Sequence, residues 1–374
     1  MPALSDAQRL ELYRSGFVVV PHQIPPELIA AARRAIYRNI GRAHNSALNF
    51  ASDPARSVRN STRGDGLEGG EEGLVAAKKA SGSLPADPVV TDLFSATGAA
   101  DCVTQLLGAR PRQPKYGQVA VNFPSSEPTS FVGQCGFPDD EVPFWGANLH
   151  VDGCWNGGST PPQTAEEDAT AHYNPVGTNG GLMERRRDDA AEFPTNITNF
   201  TLLIGVPLND QSEDGMGNLA LLKGAHHAVE RVFQTQAALG GPLGPGGPNW
   251  DREDPLSPTT HGVNMMPPSV RDEFATNADG QPAFVTDKGR VWPCPTLVHT
   301  VPGDAVIVLN HTPHAPTYIL SDEPRMMVYF RITAARAKED IGSCPAALVD
   351  IWSELPGMAD IVEAERGVGS AARL

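Results

Sequence analysis

A β sandwich or barrel carrying an α-helical flank is the fold class this chain predicts. Two observations point there. The 374 residues hold 37 glycines and 34 prolines, far too many for a helical bundle. Helix signals occupy the first hundred or so residues, and short β-rich runs separated by Gly/Pro loops follow them. At 40% hydrophobic and 20% charged, the chain reads as globular and long enough to bury a sizeable core.

The elements follow in order. Ser5-Asp6-Ala7-Gln8 is a capping box and Gly16 a helix stop, so 6–15 is predicted as a short helix. Phe17-Val18-Val19-Val20 reads as a strand. Pro25-Pro26 opens a second helix whose apolar positions Leu28, Ala32, Ile36 and Ile40 recur every four residues, with Gly41 as its end. Residues 44–86 are polar and rich in Gly and Ser, and are expected to hold little regular structure. A further helix is expected over 88–107. The runs 115–122, 148–151, 201–208, 218–222, 304–309 and 326–333 then carry the β-branched and apolar residues of strands. One domain over 1–374 is expected: a helical flank at 1–110, a β core at 111–335 and a helical tail at 336–374. Two stretches in the core, about 156–197 and 233–300, are too long for ordinary connections and suggest lids or binding loops.

The bulk numbers exclude several partners. The net charge is −15, from 29 bases against 44 acids, and such a surface repels a phosphate backbone, which argues against nucleic acid. No apolar run approaches the ~20 residues of a membrane span. The polar start lacks a signal-peptide core, and the five cysteines are scattered with no CxxC, so a reducing, cytoplasmic compartment is expected. The terminal Ala372-Arg373-Leu374 loosely resembles a peroxisomal address, which would matter in a eukaryotic source.

The chemistry begins at NLHVDGCW, residues 148–155. Residues i and i+2 of a strand point to one side, so His150 and Asp152 can reach one ion. Alone the pair proves little: ten histidines and 44 acids yield about one His-x-Asp/Glu by accident, and a plain hydrogen-bonded strand pair is the bland alternative. An iron(II) oxygenase site needs two imidazoles and a carboxylate on one face of an octahedron, with three positions left open. The second imidazole must come from a distant strand. Residues 302–332 offer a Pro-Gly-Asp turn, the apolar run AVIVL, then His311 and His314, then Arg325 opening another strand. A guanidinium there could grip the far carboxylate of a dicarboxylic acid, or simply pair with Asp322 or Glu323.

At these residues the chain resembles the phytanoyl-CoA dioxygenase family of Fe(II)/2-oxoglutarate-dependent oxygenases. The opening LSDAQRLELYRSGFVVV and PPELIAAARRAI are similar to the family's N-terminal helix, strand and helix. His150-Val151-Asp152 matches its first ligand pair, LLIGVPLND and GNLALLKGAHH a strand pair and turn, and residues 302–332 its closing block. The matched blocks cover perhaps a third of the chain. The resemblance implies a double-stranded β-helix core, jelly-roll and cupin-like. It implies His150, Asp152 and His314 as ligands of Fe(II). The family spacing puts the distal histidine eleven residues after Gly303, favouring His314 over His311, and the 2-oxoglutarate arginine eleven residues further, at Arg325. It implies a dioxygenase that consumes O2, decarboxylates 2-oxoglutarate to succinate and CO2, and hydroxylates a C–H bond of a small molecule. Many relatives carry a Ser two residues after the distal histidine; Pro316 stands here, with Thr317 and Tyr329 as replacements to weigh. Asp152 is the ligand that chlorinating relatives lack. Desaturation or ring closure on the same ligands, a non-catalytic jelly-roll binding protein, and a zinc hydrolase are the competing readings.

The remaining candidates come from position. Tyr116, Gln118 and Asn122 share one strand face by period two, where Gln118 and Asn122 could hold the cosubstrate and Tyr116 the substrate, unless the face is solvated. Thr201 is a further cosubstrate candidate. Trp155 could wall the substrate pocket or be plain core. Arg185, Arg186 and Arg187 form a charge run that is either solvated surface or a clamp for an anionic substrate group. His226, His227 and His299 are expected to be structural.

Overall fold

The computed structural model describes residues 4–46, 84–122, 149–153, 197, 199–250, 259–260, 263–264, 266–276, 280, 283–285, 291–317, 319–334 and 344–371. Among them the helices are α1 (Asp6–Ser15), α2 (Pro26–Ser46), α3 (Pro88–Ser95), α4 (Gly98–Leu107), α5 (Ala225–Ala238), α6 (Pro268–Phe274), α7 (Pro345–Val349) and α8 (Ala359–Ala371). The strands that build the core are β1 (Phe17–Val20), β2 (Gln118–Asn122), β3 (Leu202–Pro207) and β4 (Leu219–Leu221). Two two-residue hairpins follow, β5 (Thr259–Thr260) with β6 (Val263–Asn264) and β7 (Phe284–Val285) with β8 (Val291–Trp292). Then come β9 (Thr296–Val298), β10 (Ala305–Leu309), β11 (His314–Pro316) and β12 (Arg325–Ile332).

Two antiparallel sheets face each other. The larger runs β1-β10-β3-β12-β2 and the smaller β11-β4-β9. Alternation along each strand assigns every residue to a layer. Leu203, Val306, Val308, Met327 and Tyr329 of the larger sheet meet Leu219, Leu221 and Val298 of the smaller in one apolar cluster, the filling of the sandwich. The other face of the larger sheet, with Ile204, Ile307, Val328 and Phe330, packs on α1–α4 and α8. The other face of the smaller sheet, with Ala220 and Ala315, packs on α5, α6 and Leu348 of α7. A β sandwich with helices on both outer faces is thus the observed class, in line with the expectation from glycine, proline and strand patterning. Each fully buried Leu, Ile or Phe contributes about 1.5–3 kcal/mol to holding these layers together.

Local signals explain most boundaries. Ser5 accepts from the Gln8 amide at 3.3 Å and Gln8 returns the contact to the Ser5 amide at 3.0 Å, completing the capping box of α1. Gly16 ends α1 at φ 81, where a side chain would be strained. Three expectations need correction. The second helix passes through Gly41 to Ser46, since one interior glycine costs only about 1 kcal/mol. The helix expected over 88–107 is two helices, because the Thr97 hydroxyl donates to the Leu93 and Phe94 carbonyls at 3.0 Å and closes α3 before α4 begins. The stretch 233–300 is not a bare loop: it carries the end of α5, helix α6, both hairpins and β9.

Candidate metal centre

The segment 148–151, expected as a strand, contributes a single bridge. His150 and His314 exchange backbone hydrogen bonds of 3.0 and 2.9 Å, which places His150 beside β11 as an added rung of the smaller sheet. His314 pairs in turn with Leu221, an inward residue, so both imidazoles point into the sandwich. Leu149 and Val151 turn the other way into the outer core. Asp152 follows on the His150 side. Its carboxylate lies 3.6 Å from His150 Nε2 and 3.9 Å from His314 Nε2, and the two ring centroids are 4.6 Å apart. All three side chains are buried, and one donor atom from each lies within 4.8 Å of the others.

The protonation states suit a divalent ion. His314 Nδ1 lies 3.0 Å from the Thr312 carbonyl. A proton there makes the contact a hydrogen bond and leaves the Nε2 lone pair aimed at the cluster, the usual role of an outer partner of a ligating histidine. Burial, and then the neighbouring His150, push His314 down to about 4, so it is neutral at pH 7. Burial alone would raise Asp152. Arg331 and the two histidines overcome this and hold it well below the ordinary carboxylate value. A neutral His314 imidazole, the His150 ring beside it and one anionic carboxylate make up the donor set the sequence predicts, and they fit iron(II) with positions to spare.

His311 is not part of it. Its Nε2 meets the Leu348 carbonyl at 2.8 Å and its ring stands edge-on to Phe233. Residues 311–314 are not helical, so the three-residue offset from His314 does not put the two on one face.

Arg325 opens β12 with its side chain between the sheets and is 2% exposed. Neither Asp322 nor Glu323 pairs with it. Its Nη2 donates to the Tyr329 hydroxyl and to Met327 Sδ, and its Nε is buried with no partner among the described residues. A buried guanidinium without a carboxylate is costly unless a ligand supplies the anion. Asn122 stands directly across from Arg325 in register, and its Oδ1 is likewise buried without a partner. Were the amide turned to present its NH2, the pair would form a two-donor cradle on the inner face. Gly217, at φ 74, lies close enough that a Cβ there would sit 2.9 Å from Arg325 Cδ.

Other candidates move. Gln118 is on the inner face but its Oε1 accepts from Arg331 Nη1 at 2.7 Å, so it steadies that arginine and is already engaged. Tyr116 precedes β2 and is 46% exposed, away from the sheet face expected for it. Thr201 donates to Glu354 at 2.6 Å and accepts from the Ala334 amide at 2.8 Å, a structural role that leaves nothing for a cosubstrate. Thr317 donates to the Asn218 carbonyl at 2.9 Å, whereas Tyr329 touches Arg325, so of the two replacements weighed for the missing serine only Tyr329 reaches the cradle. Trp155 and Arg185–Arg187 lie outside the described residues. His226 is structural as expected, bonding the Tyr13 carbonyl at 2.8 Å from the first turn of α5. His299 is no core residue: it is half exposed and pairs with Asp214 at 2.8 Å.

Sequence reasoning passed over Arg331. It leaves β12 on the same face as Arg325 and donates from Nε and Nη2 to Asp152 Oδ2 at 3.1 and 2.9 Å. Only period two along MMVYFRIT could have flagged it; its partner sits on the other sheet. A separate groove of about 650 Å³, lined by His22, Pro25, Ile29, Arg33, Tyr37 and Pro302 among others, contains none of these residues and no carboxylate.

No protein-family model matches the chain, and no curated protein matches it. Solved structures do. AviO1 from Streptomyces viridochromogenes Tue57 is 13% identical over 88% of this chain and 95% of that one, at a TM-score of 0.38. The non-heme alpha ketoglutarate dependent carbocyclase SnoK from nogalamycin biosynthesis is 14% identical over 90% and 89%, at 0.38. HygX from Streptomyces hygroscopicus, solved with nickel and 2-oxoglutarate, is 14% identical over 91% and 95%, at 0.38. Likenesses this distant assign no activity, and the chemistry below rests on this chain's own residues.

Proposed function

We propose that the chain is an iron(II)- and 2-oxoglutarate-dependent dioxygenase that hydroxylates a C–H bond of a small molecule. One observation carries this reading. A buried His150–Asp152–His314 cluster on one sheet shares the sandwich interior with Arg325 on the other, buried and without a carboxylate partner among the described residues. A metal site alone would suit many functions. A metal site with a waiting cation on the facing sheet suits a cosubstrate that is a chelator at one end and a carboxylate at the other.

His150, Asp152 and His314 would hold the iron, which with 2-oxoglutarate and O2 supplies the oxidising power for C–H chemistry. The protein's own residues do the rest. Arg325 receives the distal carboxylate, with Tyr329 holding one prong of its fork and Asn122 beside it. Leu219, Leu221 and Met327 form the apolar filling that excludes water from the interior. Asp152 keeps a protein carboxylate where chlorinating relatives leave room for halide, which favours hydroxylation.

The test is anaerobic. Metal-free protein receives Fe(II), then 2-oxoglutarate, while the visible spectrum is recorded for wild type, His314→Ala and Arg325→Ala. A weak metal-to-ligand charge-transfer band that needs both additions is expected. It should vanish in His314→Ala and demand at least tenfold more 2-oxoglutarate in Arg325→Ala, about the 1.4 kcal/mol of a lost charge-assisted contact. No band in folded wild-type protein would sink the reading.

A further inference from the structure

We infer that Arg331 is a positioning residue that keeps Asp152 a one-oxygen ligand and so preserves the open coordination position the reaction needs. This rests on the metal reading above.

Six sites surround the ion. Two imidazoles and one carboxylate oxygen leave three, which a chelating keto acid and O2 fill. A carboxylate that chelated through both oxygens would leave two, and the keto acid alone would exhaust them. Asp152 must therefore be prevented from offering both oxygens.

The geometry supplies the restraint. Arg331 Nε and Nη2 converge on one atom, Oδ2, at 3.1 and 2.9 Å. Oδ1 is the oxygen nearest His150 Nε2, at 3.6 Å; Oδ2 lies 3.9 Å from His314 Nε2 and already accepts both Arg331 donors. The fork is itself fixed on two further sides. Nη1 donates to Gln118 Oε1 at 2.7 Å, and the guanidinium lies over the Phe200 ring, 5.6 Å from its centroid. Lysine has no planar fork and could not place two donors on one oxygen from that direction. The contact also crosses the sandwich, from β12 of the larger sheet to the segment bridged onto the smaller one.

The experiment compares wild type with Arg331→Met, Arg331→Lys and Gln118→Ala. Each is loaded with Fe(II) anaerobically. X-ray absorption at the iron edge reads whether the carboxylate binds through one oxygen or two, and the charge-transfer band reads 2-oxoglutarate affinity. Arg331→Met should show a shift from one carboxylate oxygen to two on the iron, while 2-oxoglutarate, whose two positions remain, still binds. Arg331→Lys should restore little, since charge without the fork does not select an oxygen. Gln118→Ala, which loosens the fork but leaves Asp152 untouched, should fall between wild type and Arg331→Met. This variant keeps the idea testable should Arg331→Met not fold. A folded Arg331→Met with a one-oxygen carboxylate would overturn the inference while leaving the metal reading intact. Wild-type protein that takes up no iron would overturn both.

Discussion

Arg325 and Arg331 sit six residues apart on one strand, both inward, and meet different partners. The first has no carboxylate partner among the described residues; the second holds Asp152. Tyr329 between them gives the first a hydroxyl contact, so Tyr329→Phe should raise the 2-oxoglutarate Kd about tenfold with little change in iron affinity, a shift of about 1.4 kcal/mol read by titrating the charge-transfer band. Equal losses in both affinities would contradict that role. The buried histidines make a second prediction. Burial is the leading cause in each: it pushes His311 and His314 down to about 4, and His226 well below its ordinary value. In the unfolded chain they titrate near ~6.5. Between those values the unfolded chain takes up protons that the folded one refuses, so their contribution is intact above about pH 6.5 and lost as the pH falls toward 4. Glu230, raised by burial to about 7, works the other way over much of the interval. Three groups against one leave a net loss, so the urea midpoint of metal-free protein should fall steadily from pH 6.5 to 4.5. A flat profile would refute it. The single residues were legible where their meaning lies along the chain. His150 and Asp152 are two apart on one rung, while Arg331 means something only across the gap between sheets, which no local pattern records.

At the scale of elements, period and punctuation placed α1, β1, β3, β10 and β12 nearly to the residue, because each has a cap, a turn or a long apolar alternation. They failed where one residue had two uses. Gly41 is a helix stop in isolation and a tolerated interior residue in α2; Thr97 is an ordinary helical residue on paper and, with its hydroxyl on Leu93 and Phe94, a break in fact. Gly16 joins α1 to β1 with no room around it. A Cβ there would land 2.5 Å from Thr312 Oγ1 and 2.6 Å from His226 Nδ1, at a φ of 81 that disfavours side chains. Gly16→Ala should therefore cost more than about 1 kcal/mol of stability. Arg14→Ala, which breaks the solvent-screened pair with Glu365, should cost far less. Paired urea denaturation curves separate the two, and equal midpoints would mean that α1 does not pack as described.

The molecule places the proposed ligands His150, Asp152 and His314 beside one sheet and Arg325 and Arg331 on the other, so metal binding should be felt by the entire sandwich. At a free Fe(II) concentration 100 times Kd the gain is about 2.7 kcal/mol, or roughly 3 °C in Tm for a chain of 374 residues. Anaerobic scanning calorimetry on wild type and His150→Ala checks this; a rise in both would place the ion elsewhere. That the chain builds a sandwich was legible from its glycines, prolines and strands. The partition into sheets was not, because neighbours such as β1 and β10 lie far apart in sequence. Phe17 pairs with Val308. A ribosome adding about 5–20 residues per second needs roughly 15–60 s to deliver the second of these after the first. Through that interval FVVV lacks its partner strand, and the helices α1–α4 that share its core cluster are the elements made in time to cover its apolar side. Synthesis speed, chaperone supply and temperature during expression should govern the yield of soluble protein as strongly as any residue of the metal centre.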